Sequence, residues 1–391
     1  MPRPRRILIA SRLFAPEVSA GAFRLRALAQ GFLRRGHEVR VVTTTPPPTA
    51  PATPVDEAGL TIARMPVLRD RGGNVRGYLQ YLSFDIPLFF RMLFARFDQA
   101  VAEAPPTTGL VVSVVSRVRR KPYAYYAADI WTDGVIAMGA PAVVVRIMRA
   151  VEGHVMRKAA CVLSISDEVT ERITGFGVDP ARIATVGNGV DTTMFTPDGS
   201  AKPSSPPYLV YTGTMSEWQG AERFVEAMPM VLERHPDAVL RFFGQGASEP
   251  TIRAAAERLA PGRVELGGVV PPSEAAEWIR GAAAALVSIV PGIGYDFARP
   301  TKTYAAAACG TPVIFAGTGS GAALVRDHGL GRAVDYRAED IAEAMILALD
   351  DAASGETASR RRARASWVEE HASLRAVGGR AADAVLAAGV R

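Results

Sequence analysis

Short apolar runs alternate with longer segments of helical spacing along most of the chain. Ile7-Leu-Ile-Ala10 reads as a buried strand, and Ala22, Leu25, Ala29, Phe32 and Leu33 then recur at helical spacing until Gly36 closes the helix. His37 to Thr43 reads as a second strand, so the first 45 residues form one βαβ unit. Pro46 to Pro54 reads as a loop, and further strand-like runs fall at Leu60 to Ala63, Ala100 to Ala102, Tyr123 to Ala127 and Cys161 to Ile165. Continuous apolar runs with helices between them predict a parallel sheet covered on both faces. From Phe195 to Pro207 there is no apolar periodicity, which is a linker signature. The alternation then restarts, with strands at Tyr208 to Tyr211, Val239 to Phe243, Val264 to Leu266, Ala283 to Ile289, Pro312 to Ala316 and Ala333 to Asp335. Ser366 to Leu386 is helical in pattern.

The pattern therefore predicts an α/β protein built as two doubly wound parallel-sheet domains in series. The first covers 1–195, a linker 196–207, the second 208–365, and a C-terminal helix 366–391. At roughly 150 residues per domain, 391 residues suit two such domains. Open α/β sheets bind ligands outside the carboxyl ends of their strands, so two of them face to face predict a cleft.

Composition narrows the classes. Hydrophobic residues are 48% and charged residues 21%, which argues against long disorder or a fibre. The longest apolar candidate for a span, Ser83 to Phe97, carries Asp85, Arg91 and Arg96, so a spanning helix is not expected. Arg12 follows Ile7 to Ala10 too soon for a signal-peptide core, which predicts a cytoplasmic protein. Cys161 and Cys309 lie in apolar surroundings, and no Cys/His cluster has metal-ligand spacing. The net charge of +6 suits an anionic partner, although no nucleic-acid-binding motif is present. Only Lys121, Lys158, Lys202 and Lys302 are lysines, leaving 41 arginines, a balance of the GC-rich, actinobacterial type. The Arg117 to Lys121 and Arg360 to Arg364 runs read as solvated helix faces. Tyr78 to Phe97 is rich in Phe, Tyr and Leu. Core packing is the simpler reading, and an amphipathic helix at an apolar acceptor or a membrane surface is the sharper one.

Candidate chemistry gathers in the loops after the strands of the second half. Gly213, Gly244, Gly246, Gly292, Gly294 and the Gly317 to Gly321 run are suited to bringing backbone amides close to an anion. None has P-loop or GxGxxG spacing. In Pro300-Thr301-Lys302-Thr303-Tyr304 a proline opens an Ala-rich helix, leaving Thr301 and the first amides toward a ligand, with Lys302 as a compact cation over phosphate.

These residues resemble the retaining, nucleotide-sugar-dependent glycosyltransferases of the family 4 type, which have the GT-B fold of two Rossmann-like domains. The resemblance runs through Ile7 to Ser11, Pro16-Glu17, Gly21, Arg24, Arg35 to Val42, Ala128-Asp129-Ile130-Trp131, Ser164 to Glu168 and Asn188 to Phe195. It continues through Tyr211 to Thr214, Gln219-Gly220, Phe243 to Gly246, Pro300 to Tyr304 and Ala308 to Val313. It implies a nucleotide diphosphate-sugar co-substrate gripped by the second domain, with no cofactor and no metal, and a helix that crosses back to the first domain at the C-terminus. Asp129 and Lys302 would be catalytic. Gly21, Gly213, Gly244, Gly246, Gly292, Gly294, Thr301 and Tyr304 would lie against the donor, and Glu17, Arg24 and Trp131 on the acceptor side. The acceptor would be a small molecule, a saccharide or a lipid-linked group, the last of these placing the protein at the inner membrane face.

Three departures from the family pattern stand out. The usual paired glutamates, eight positions apart, read Phe297 and Ala305, and the loop Gly213 to Gly220 lacks its usual basic pair. Asp296 and Arg299 are the nearby candidates to replace them, Arg299 as a third catalytic residue. The resemblance thus implies an active transferase with an atypical donor site. The alternative is a GT-B homologue that no longer transfers sugar and acts as a binding or partner subunit. A nucleotide-sugar epimerase would need carboxylates flanking the sugar, which the sequence does not place.

Overall fold

The computed structural model describes residues 3–17, 19–47, 50, 56–70, 75, 77–137, 139–355 and 359–389. Residues 48, 49 and 51–54 of the expected proline-rich loop lie outside them. The chain divides into two compact units, residues 1–188 with 374–391, and residues 189–373.

The first unit runs β1 (Arg6–Ala10), α1 (Ala20–Leu33), β2 (Glu38–Thr44), β3 (Leu60–Met65), α2 (Tyr78–Phe94), β4 (Gln99–Glu103), α3 (Pro106–Arg119), β5 (Tyr123–Ala127), α4 (Trp131–Ala137), α5 (Ala142–Lys158), β6 (Cys161–Ser164), α6 (Asp167–Gly175) and β7 (Ile183–Thr185). Its strands form one parallel sheet in the order β3-β2-β1-β4-β5-β6-β7. Strands β1, β4, β5 and β6 are buried on both faces, because helices cover both, and that is why they read as unbroken apolar runs. Strand β7 was not expected. It is three residues long and half-exposed, too short and too polar to show as a run.

The second unit runs β8 (Tyr208–Thr212), α7 (Glu222–Arg234), β9 (Val239–Phe243), α8 (Glu249–Leu259), β10 (Val264–Leu266), α9 (Pro272–Gly281), β11 (Ala284–Ser288), α10 (Thr301–Ala308), β12 (Val313–Ala316), α11 (Gly319–Asp327), β13 (Gly331–Val334), α12 (Ala338–Ser354) and α13 (Arg361–His371). Its parallel sheet has the order β10-β9-β8-β11-β12-β13. Both sheets thus reverse their strand order at one place, between β1 and β4 and between β8 and β11. Chain direction on the sheet switches there and opens a crevice at the carboxyl edge.

The expected linker, 196–207, has no regular structure, but it is clamped to the second unit. Arg280 donates to the carbonyls of Ser200 and Thr196, and Arg361 to that of Pro197. The first unit therefore ends at Asn188, not at residue 195. Arg361 and Arg364 also overturn the solvated reading of their run. Arg364 is buried and donates to the Gly310 carbonyl, and burial pulls its guanidinium down to about 10.

Nor is the C-terminal segment a single helix. Helix α13 stays with the second unit, packed on α10, and α14 (Leu374–Ala388) belongs to the first. Between them Ser373 bridges to Val190, whose amide donates to the Ala372 carbonyl. Helix α14 lies on α1 at backbone distance. A Cβ at Gly31 would stand 2.4 Å from the Gly378 carbonyl oxygen, and one at Gly378 would stand 2.2 Å from that of Ala27. Gly31→Val must push the two helices apart. We expect it to destabilise the first unit by about 1–3 kcal/mol, the usual cost of overpacking, read as a lower urea midpoint; an unchanged midpoint would disprove the close approach.

Candidate functional site

At the reversal point of the second sheet, the loops after β8, β9 and β11 meet. The first two are laced together by Gly213 N–H donating to Phe243 O (2.8 Å) and Met215 N–H donating to Gln245 O (3.0 Å). A Cβ at Gly244 would stand 1.9 Å from Gly213 O, and one at Gly246 would stand 2.2 Å from Met215 O, so both glycines are fixed by loop-to-loop contact. Gly213 takes φ +108 and leaves room for Lys302, whose Cε would lie 3.5 Å from a Cβ there.

Lys302 enters this junction from the first turn of α10. Its Nζ lies 3.7 Å from the centre of the Tyr211 ring and donates to Thr214 O at 3.2 Å. That is its only polar contact among the described residues. Burial, with no opposing carboxylate, pulls the ammonium down to about 7. Thr301 is exposed at the start of α10. Gly292 (φ +76) and Gly294 (φ +89) face open space, so their backbone is approachable.

Asp296, a candidate to replace a missing glutamate, is held by its neighbouring loops. Its carboxylate accepts from Gly292 N (3.1 Å) and Thr318 Oγ1 (2.8 Å), which ties the β11 loop to the β12 loop. Tyr304 and Ala305 are buried in the core of the unit. Arg299 is half-buried. Sequence reasoning missed a row of aromatic rings on this edge, Trp218, Tyr295 and Phe297, because its members come from two loops.

The first unit carries a buried ionic cluster at its own reversal point. Glu103, the last residue of β4, accepts from Ser11 Oγ (2.9 Å) and Arg24 Nη2 (3.2 Å), and Arg24 lies over the Tyr126 ring. Burial pushes the Glu103 carboxyl up, and Arg24 opposes it. Gly21 is not a loop glycine: it sits in the first turn of α1, where a Cβ would come within 3.1 Å of Glu103 Oε1. Arg12 is buried over the Tyr81 ring at 3.9 Å, and Tyr81 meets Trp131 edge-on. Burial lowers the Arg12 guanidinium.

Asp129 is exposed on the bend after β5, beside Trp131. The first turn of α4 is held by Glu152, which accepts from Trp131 N (2.8 Å) and Thr132 N (2.8 Å). Glu17 is buried near Arg64 and Arg69, and its carboxyl is raised by burial against those two charges. Ser11, Arg12 and Glu103 were not singled out from the sequence; their signal was position, at the carboxyl ends of the two apolar runs flanking the reversal.

Helix α2 is apolar on two faces. Phe84, Leu88 and Met92 are core, whereas Leu79, Leu82, Ile86, Phe90 and Phe94 form an exposed stripe along its length. Core packing therefore explains only half of the aromatic segment. Among the described residues no group of three His, Cys, Asp or Glu side chains is arranged to hold a metal ion, and no helix is long and apolar enough to cross a membrane.

Family models match both halves of the chain, a glycosyl transferase 4-like domain over residues 20–189 and a glycosyl transferases group 1 domain over residues 206–351. Among characterised relatives, D-inositol 3-phosphate glycosyltransferase of Thermobifida fusca is 29% identical over 44% of this chain and 43% of its own. The GDP-mannose-dependent monoacylated alpha-(1-6)-phosphatidylinositol monomannoside mannosyltransferase of Corynebacterium glutamicum is 32% identical over 46% and 51%. The chain thus spans about half the length of the curated relatives it matches. Solved structures share the fold along the whole chain. Anabaena HepE, in complex with UDP and glucose, is similar at TM-score 0.65 and 16% identity, covering 97% of this chain and 98% of that one. WaaG, a glycosyltransferase involved in lipopolysaccharide biosynthesis, is similar at TM-score 0.65 and 15% identity, covering 97% and 99%.

Proposed function

This chain belongs to the glycosyltransferases of the family 4 type, and from that premise we propose that it moves a sugar from a nucleoside diphosphate donor, held by the second unit, to an acceptor held by the first. The observation that carries this reading is Lys302, a cation whose ammonium is buried with no carboxylate partner among the described residues, set at a helix N-terminus beside approachable glycine backbone. A buried unpaired cation is costly unless an anion completes its site.

The chemistry follows from where charge develops. As the bond from the anomeric carbon to the diphosphate breaks, negative charge collects on the phosphate oxygens and positive charge on the sugar ring. Lys302, the amides of the Gly292 to Gly294 loop and the first turn of α10 stabilise the leaving diphosphate, with no metal ion in the scheme. Asp129, on the first unit, is the carboxylate for the acceptor hydroxyl. The acceptor oxygen bonds to the same face of the sugar, its proton leaves with the diphosphate, and the anomeric configuration is retained. Glu17, Arg24 and Trp131 border the acceptor.

Several donors presented with candidate acceptors test this, reading nucleoside diphosphate release and the configuration of the product. Release with an α-donor giving an α-product supports the reading. Nucleotide binding without release by any acceptor supports a second one, a non-transferring homologue, which Phe297, Ala305 and the uncharged Gly213 to Gly220 loop favour.

The exposed α2 stripe supports a lipid-linked acceptor and contact with a membrane surface. Arg91 and Arg96 are exposed near its end, and Arg117, Arg119, Arg120 and Lys121 lie on the adjoining α3 and the turn after it. The protein should sediment with vesicles of phosphatidylglycerol and not with phosphatidylcholine alone. Phe90→Ser with Phe94→Ser should cut that binding by about tenfold or more, since each buried ring contributes ~1.5–3 kcal/mol; equal binding by the variant would refute the contact.

A further inference from the structure

Tyr211, near the end of β8, is fully buried, and Phe242 and Phe224 pack against its ring with centroids 5.3 and 6.4 Å away. Those contacts belong to the core, but the same side chain also reaches the charge that the transfer chemistry uses. Lys302 Nζ sits over the ring, 3.7 Å from its centre. The Tyr211 hydroxyl donates toward Thr214 O (2.8 Å) and Gln219 Oε1 (2.9 Å), and Thr214 O is the carbonyl that accepts from Lys302 Nζ (3.2 Å). Gln219 is buried, and its Oε1 also accepts from Ser216 N (3.3 Å), which closes the Gly213 to Gly220 loop on itself. Tyr211 thus acts on the ammonium twice, by its ring and through the carbonyl that its hydroxyl holds.

We propose that Tyr211 is a positioning residue for Lys302: its ring and hydroxyl form, with Thr214 O, a neutral cradle that holds the ammonium in place of a carboxylate and leaves its charge free for the donor diphosphate. The proposal rests on the transfer reading above and deepens it. A carboxylate would hold a buried lysine more strongly, but an arriving diphosphate would have to displace it and would be repelled by it. An aromatic face attracts a cation without carrying a net charge of its own. The hydroxyl stays neutral as well, because burial, with Glu222 of α7 and Tyr336 adding to it, pushes its ionisation well up. No carboxylate pairs with Lys302 among the described residues. The cradle also gives a use to the loop that lacks its usual basic pair: Thr214 and Gln219 supply acceptors that fix Lys302, where charged side chains would repel it.

Two measurements on the full chain test this. There are only four lysines, Lys121, Lys158, Lys202 and Lys302, so lysine carrying carbon-13 at Cε gives a sparse NMR spectrum in which the Lys302 signal is the one that Lys302→Ala removes. Its Hε protons should be shifted upfield by the Tyr211 ring, in the wild type and in Tyr211→Phe alike. An unshifted signal would overturn the proposal without recourse to any core variant. Calorimetry between pH 6 and pH 8 with UDP, GDP, dTDP and ADP then reads the consequence. Tyr211→Leu removes the ring face, so affinity for the nucleotide that binds should fall about tenfold at pH 7 and the midpoint of its pH dependence should drop by about one unit, the scale of a desolvated cation–π contact. Tyr211→Phe keeps the ring and should keep the midpoint, with a smaller loss of affinity. A Leu variant with a lowered melting temperature and an unmoved midpoint would make Tyr211 a core residue only, and a Phe variant as impaired as the Leu variant would show that the ring face holds nothing; either overturns the proposal. Should Tyr211→Leu not fold, the spectra of the wild type and Tyr211→Phe decide. An upfield Lys302 signal in a wild type that binds none of the four nucleotides would instead remove the reading on which the proposal rests.

Discussion

Lys302→Ala is expected to lower sugar transfer by about a hundredfold to a thousandfold, the scale for removing one preorganised donor aimed at developing negative charge. The fold should survive, since among the described residues the ammonium's contacts are Thr214 O and the Tyr211 ring. Lys302→Arg should recover little, because the broad, planar guanidinium does not reproduce a compact ammonium set over the Tyr211 ring and against Thr214 O.

The same residue sets a pH dependence. In the free protein the ammonium titrates at about 7 because it is buried. The charge is therefore present below pH 7 and lost above it, and binding a diphosphate must restore it by taking up a proton. Nucleotide affinity should fall as pH rises above 7, with proton uptake near pH 8 that is absent in Lys302→Ala. Fold stability runs the other way. The folded value lies below the ordinary lysine value of 10.5, so between pH 7 and 10.5 the unfolded chain binds more protons and stability rises with pH. Lys302→Met should abolish that rise, as followed by urea unfolding across the window.

Glu103→Ala should give the largest loss of stability. The substitution leaves the Arg24 guanidinium and Ser11 Oγ without their buried carboxylate, and breaking such a pair from one side costs about 3–5 kcal/mol. In a unit of this size that lowers the melting temperature by roughly ten degrees. Glu103→Gln keeps an oxygen for Ser11 and should lose less. Calorimetry that found Glu103→Ala within a degree of wild type would show the cluster to be energetically idle.

The legibility of the sequence follows burial. Strands covered on both faces, such as Tyr123–Ala127 and Val239–Phe243, read directly as apolar runs, and the two-unit plan followed from them. Strand Ile183–Thr185 is half-exposed at a sheet edge and left no run. The break at Ala372 and Ser373 was invisible because neither glycine nor proline marks it; it is made by pairing with Val190, far away in the chain. The glycine loops and Lys302 were legible as types, and the structure adds that Gly244 and Gly246 serve loop packing. The Glu103 cluster was not legible. Its partners lie 79 and 92 positions away, and charges that far apart show no spacing. The aromatic row was hidden for the same reason, with Trp218 and Tyr295 brought together only by adjacent strands.

The central claim, a nucleoside diphosphate site organised by Lys302, is tested most directly by the thermal stability of wild type and Lys302→Ala with UDP, GDP, dTDP and ADP. At about 100 times its Kd a bound nucleotide stabilises by ~2.7 kcal/mol, a shift of several degrees. The account predicts that shift with one nucleotide in the wild type and its loss in the variant. No shift with any of the four, or an equal shift in both proteins, would contradict it.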